Sequence, residues 1–125
     1  MTYDKKFLII TAHPDDLEMA CGGLVAKIKA NGGSVTNLIL VQPSAEINEK
    51  RNMQIVKKEL DKSQDILGFK SVVYNTPLHD NGRPNLTLDN NLITDAEHIA
   101  QGHDILITHW KEDHHQDHRV CYDVG

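Results

Sequence analysis

Four short apolar runs, each followed by a segment of helical periodicity, limit this chain to very few folds. Residues 7–10 read as a buried strand, 35–41 as a second apolar strand, and 71–74 and 104–107 as a third and a fourth. After the first, Leu17, Cys21, Leu24 and Ile28 recur at helical spacing up to the stop at Asn31-Gly32-Gly33. Within 46–67, Val56, Leu60 and Leu67, with Ile55 and Ile66 beside them, predict an amphipathic helix closed by Gly68. Leu92, Ile93, Ala96 and Ile99 predict a shorter helix closed by Gly102, and 118–124 opens another. Residues 76–91, rich in Pro, Asn, Asp and Gly, read as a long loop. Strand–helix alternation of this kind predicts an α/β fold: a Rossmann-like, doubly wound, mostly parallel sheet with strand order 3-2-1-4.

The 125 residues suit a single domain, 1–125. A net charge of −5 argues against a nucleic-acid binder, which would show a basic patch. No apolar run approaches the roughly 18 residues of a membrane span, and 7–10 is too short for a signal-peptide core. Cys21 and Cys121 form no CxxC pair, which suits a reducing compartment, so a cytoplasmic location is expected. Four of the eight histidines fall within 109–118, and that clustering raises the question of a metal.

Both chemistry-bearing segments follow strands: His13-Pro14-Asp15-Asp16 the first, and 109–118 the fourth. In a doubly wound sheet, ligands bind outside the carboxyl ends of the strands, where strand order reverses. Strands one and four flank that reversal in the order 3-2-1-4, so the two segments are expected to face each other. A hydrolytic zinc site takes three protein ligands and keeps one position open. His13, Asp16 and His118 are candidate ligands. Asp15, beside a ligand, is a candidate general base for an attacking water. His115 could donate a hydrogen bond to a developing oxyanion, and Asp117 could orient an imidazole.

Plainer readings stand beside these. Asp15-Asp16 could serve only as a helix N-terminal cap and dipole partner. His109 and His114 are expected in the loop or behind the ligands, His98 and His103 in structural roles, and His79 in substrate contact at most. Gly22-Gly23 lies inside a helical pattern and suggests close helix–sheet packing. Cys21 reads as a core residue, and Lys57, Lys58 and Lys62 as a solvated face. Trp110 is open between stacking on a ligand and packing.

Ala12-His13-Pro14-Asp15-Asp16, then Gly22-Gly23, then His115-Gln116-Asp117-His118 resembles the LmbE/PIG-L family of metal-dependent N-acetylglucosaminyl deacetylases, over nearly the whole chain. The resemblance implies that His13, Asp16 and His118 bind Zn2+, and admits another divalent metal such as Fe2+. It implies Asp15 as general base and later acid, and His115, supported by Asp117, as the group that polarises the carbonyl. The substrate would be an N-acetylglucosamine-type sugar or glycoconjugate, giving acetate and a free amine; a homo-oligomer stays open. Departures are visible. Leu17 stands where many members have Glu, with Glu18 next; Gln116 stands where Pro is frequent. Val56 stands where members often carry Arg before a helical Glu, here Glu59, so Arg51 is the nearest arginine for a substrate contact. Asp80 lies where the family often has a substrate-side Asp. Family chains usually continue well past the second motif, so the chain is expected to be the front part of a larger domain, with the rest of the sheet missing. Two rival readings are a non-catalytic metal- or nucleotide-binding module and an inactive fragment of the enzyme.

Overall fold

The computed structural model describes residues 2–41 and 53–125. Its elements run β1 (Lys6–Thr11), α1 (Asp16–Ala30), β2 (Ser34–Ile39), α2 (Met53–Leu67), β3 (Lys70–Val73), α3 (Asn90–Ala100), β4 (Ile105–Ile107) and α4 (Gln116–Val124). The four strands form one parallel sheet in the order β3-β2-β1-β4, as expected from the sequence.

Side-chain alternation along β1 divides the core in two. Phe7 and Ile9 point to the face covered by α1 and α2, where they meet Leu17, Val25, Ile28, Val35 and Phe69. Leu8, Ile10 and Ala12 point to the other face, with Leu38, Leu40, Leu92, Ala96 and Cys121. A central strand covered on both faces has no polar side to show, so its sequence is a continuous apolar run. β1 pairs with β2 on one side (Thr11↔Ile39) and β4 on the other (Phe7↔Ile105). The carboxyl ends of β1 and β4 therefore open side by side.

Local differences from the sequence reading have physical causes. Regular pairing of β2 stops at Ile39, but the amides of Leu40 and Val41 still donate to the carbonyls of Thr11 and Ala12. Residues 46–52 of the expected second helix lie outside the described residues. In α2, Leu60 and Leu67 pack into the core while Ile66 is 81% exposed, since it falls off their shared face. The loop at 76–91 has order of its own: the amide of His79 donates to the carbonyl of Arg83, and Leu78 bridges Pro84. Asp89 caps α3 by accepting from the Leu92 amide at 2.9 Å.

The expected role of Gly22-Gly23 in close helix–sheet packing is not what the structure shows. Among the described residues, a Cβ on Gly22 would meet only the Leu67 side chain, at 4.0 Å, and one on Gly23 would meet nothing within 4 Å. The pair instead follows a break in α1, where Cys21 leaves helical geometry (φ −143, ψ 24). Close approach is required at Gly33, where a Cβ would sit 2.1 Å from the Tyr3 carbonyl oxygen and 2.6 Å from the Ile28 side chain. Gly33→Ala is expected to destabilise the fold by about 1–3 kcal/mol through overpacking. Gly23→Ala should be neutral or stabilising by up to about 1 kcal/mol, because it removes a helix-interior glycine. Urea denaturation of the two variants checks the contrast, and equal effects would contradict it.

Candidate metal centre and active site

The site is built on the two strand exits. β1 ends at Thr11, and the chain turns through His13-Pro14-Asp15 into α1. β4 ends at Ile107, and a loop carries His109 and Asp113 to the start of α4 at Gln116. The Ala12 amide approaches His109 Nε2 at 3.3 Å, which joins the two exits directly.

Asp16 Oδ2 is the point of convergence. It lies 3.4 Å from His13 Nδ1, 3.2 Å from His118 Nε2 and 3.4 Å from His109 Nε2. It also accepts from the His13 amide at 2.8 Å, which locks the turn. Burial alone would raise the Asp16 carboxyl, but hydrogen bonds from His109 and His13 and the positive charge of His13 outweigh it. The carboxyl is held far below the usual carboxylate range and stays ionised. The His13 imidazole is raised by its hydrogen bond to Asp16; burial opposes this, and Asp117 adds to the rise.

The donor spacing suits a small divalent cation. A tetrahedral site with bonds of about 2.0–2.1 Å separates its ligand atoms by roughly 3.3–3.4 Å. The Asp16–His13 and Asp16–His118 separations match that edge length. Ligand atoms of His13, Asp16 and His118 all lie within 4.8 Å of one another. Among the described residues, two further groups are as close together: His13 with His115 and Asp117, and His109 with Asp113 and His118. The last is poorly shaped for one ion. The His109 and His118 rings stack at 3.8 Å with only 10° between their planes, so their in-plane lone pairs do not converge. His13 and His118 are tilted by 52°, which lets both aim at one point. A metal held through His13 would need the neutral ring, so protons would compete for that position.

Asp15 and Asp16 differ although they are neighbours. Asp15 sits at the N-cap of α1, yet its side chain makes no capping hydrogen bond, and the residue is exposed. A pure capping role for Asp15 is therefore not what the structure shows. His115 caps α4: its Nδ1 accepts from the Asp117 amide at 3.2 Å. In the neutral ring that leaves the proton on Nε2. Asp117 Oδ2 lies 3.1 Å from His13 Nε2 but 3.9 Å from His115 Nδ1. The sequence reading assigns Asp117 to His115; the geometry assigns it to His13, because the first turn of α4 turns that carboxylate toward β1.

Two expected substrate residues are not brought into the cluster. Arg51 lies outside the described residues. Asp80 is exposed, and among the described residues no hydrogen bond or ion pair joins it to the histidines. Two residues in the cluster are not singled out as site residues by the sequence. His109, expected in the loop or behind the ligands, stands against both Asp16 and His118. Asp113 carries no motif of its own, although an acidic residue two positions before a His-x-Asp-His run is a recognisable signal for a turn that caps it. Its Oδ1 accepts from the His115 amide at 2.9 Å, and its Oδ2 lies 3.1 Å from His118 Nδ1.

Fold and cluster together define a parallel α/β domain with a His/Asp donor set at the switch point of its sheet. A family model described as PIG-L, GlcNAc-PI de-N-acetylase, matches residues 8–125, and the chain belongs to that family. No curated protein matches the chain. Among solved structures, it is similar to N,N'-diacetylchitobiose deacetylase from Pyrococcus horikoshii (TM-score 0.78, 23% identity, covering 96% of this chain and 47% of that one). It is also similar to a conserved protein from Thermus thermophilus (TM-score 0.77, 25% identity, 96% and 53% covered). A third is the 4-carboxy-2-hydroxymuconate hydratase from Pseudomonas putida (TM-score 0.75, 16% identity, 96% and 53% covered). The chain spans about half the length of these structures. No helix among the described residues is long and apolar enough to cross a membrane.

Glu18, in the first turn of α1, gives a test of the local electrostatics. Burial, then the charges of Asp15 and Asp16, push its carboxyl up from 4.5 to about 6. Its Oε1 is buried with no hydrogen-bond partner. The folded state thus favours the neutral acid. The stability this contributes is full below about pH 4.5 and is lost as pH rises through about 6. Metal-free Glu18→Gln protein should melt higher than the parent above pH 6, with the gap closing below 4.5. A pH-independent difference in Tm would show that Glu18 carries no such shift.

Proposed function

We propose that the protein is a metal-dependent hydrolase that removes the N-acetyl group from an N-acetylglucosamine-type sugar or glycoconjugate. The observation that carries this reading is the convergence of His13 and His118 on Asp16, with an uncapped Asp15 carboxylate next to it. The family match supports the class of reaction. The fold alone does not choose it, since one structural neighbour is a hydratase.

His13, Asp16 and His118 would hold the metal, with Zn2+ suited to two imidazoles and a carboxylate. A divalent metal there supplies Lewis acidity, which acidifies a water and polarises the amide carbonyl. The chain's own groups do the rest. Asp15, free of any capping bond, accepts a proton from the attacking water as the new C–O bond forms. His115 donates from Nε2 to the carbonyl oxygen as negative charge grows there. Asp15 then returns its proton to the sugar nitrogen as the C–N bond breaks, leaving acetate and a free amine. Asp117 keeps His13 turned toward the site through its Nε2. Arg51 and Asp80 remain proposed substrate contacts on the strength of the family resemblance alone.

The uncapped Asp15 also separates this reading from a pure binding module, which has no use for an unengaged carboxylate beside a metal. Asp15→Asn should retain zinc while amine release from N-acetylglucosamine-type substrates falls by about 10²–10⁴-fold. Wild-type protein that binds zinc and releases no amine would instead indicate a binding module. Zinc affinity should fall further in His118→Ala than in His109→Ala. The reverse order, read by chelator competition, would move the metal to the His109 side of the cluster.

A further inference from the structure

We propose that Asp113 is a positioning residue that holds His118 with its Nε2 turned to the metal, an inference that rests on the metal-site reading above. His118 presents Nε2 to Asp16 at 3.2 Å. With Nε2 used as a ligand, the ring proton belongs on Nδ1. That Nδ1 is buried, and no well-aligned hydrogen bond reaches it among the described residues. Among the described residues the carboxylate beside it is that of Asp113, with Oδ2 at 3.1 Å, an approach that is close but oblique. An Nδ1–H facing a carboxylate fixes the tautomer, makes Nε2 a better donor to the metal, and resists rotation of the ring.

Asp113 is itself held in place, as such a role demands. Its other carboxylate oxygen accepts from the His115 amide, and its own amide donates to the Trp110 carbonyl at 3.2 Å. Arg119 Nη1 reaches back from α4 to the carbonyls of Asp113 (2.8 Å) and His114 (2.9 Å). One carboxylate thus ties together the backbone that carries His115 and the ring of His118. The stacked His109 ring blocks tilting of His118 on its flat face, so rotation about the Asp113 side is the freedom left to remove. The group His109, Asp113 and His118 does not read better as a second metal site, because the two rings are parallel.

The test compares Asp113→Ala and Asp113→Asn with wild type by zinc competition against a chelator, and by melting of the metal-free proteins. Asp113→Ala should weaken zinc binding by about 10–100-fold. Asp113→Asn should weaken it less, because its amide oxygen still accepts from Nδ1–H. The metal-free Tm of Asp113→Asn should stay close to that of the parent. Zinc affinities for Asp113→Ala within about twofold of wild type, or an equal affinity loss in both variants that tracks an equal drop in metal-free Tm, would overturn the assignment in favour of a structural turn. Wild-type protein that binds no zinc would instead overturn the proposed function. The two failures are therefore distinguishable.

Discussion

Three imidazole nitrogens and a backbone amide lie within 3.4 Å of a single oxygen, Asp16 Oδ2. Burying a carboxylate is costly, and here the cost is offset by donors drawn from both halves of the chain. His13 comes from the same turn as Asp16, while His109 and His118 come from about a hundred residues later. Their meeting depends on one pairing, β1 with β4, in which the last residue of β4, Ile107, pairs with Ile9, two residues before β1 ends. Without that pairing the chain would hold two unremarkable polar turns.

A local turn explains the different placement of Asp15 and Asp16. The turn that closes on the His13 amide brings Asp16 inward and leaves Asp15 exposed at the first helical turn. Two identical side chains therefore meet different environments, one half-buried among imidazoles and one facing solvent. On the proposed reading, their roles as ligand and base follow from where the backbone sets them, not from their chemistry alone. Asp117 and Asp113 extend the pattern: each carboxylate lies beside the imidazole nitrogen that its ring does not offer to the shared centre, on His13 and His118 respectively.

Much of this was legible in the sequence. Apolar runs and helical spacing located all four strands, and the usual switch-point order of such sheets agreed with the observed 3-2-1-4. The meeting of His13, Asp16 and His118 was legible because each follows one of two strands that the expected order makes neighbours. Three features were not. The partner of Asp117 depends on which way the first turn of α4 faces. Asp113 and His109 lie in a loop with no periodicity, so sequence spacing says nothing of their direction. The role of Gly22-Gly23 was misread because a helical glycine pair can mark close packing or a break, and only the backbone angles at Cys21 distinguish them.

The sequence by itself determined the layering, since only a central strand covered on both faces explains an unbroken apolar run like 7–10, and it determined which residue types could bind a metal. Tertiary structure alone decided which nitrogen of each histidine faces the centre, which carboxylate stands behind it, and that Asp15 is left without a capping bond. Those outcomes are set by distances of a few ångströms between segments about a hundred residues apart, and no local pattern encodes them.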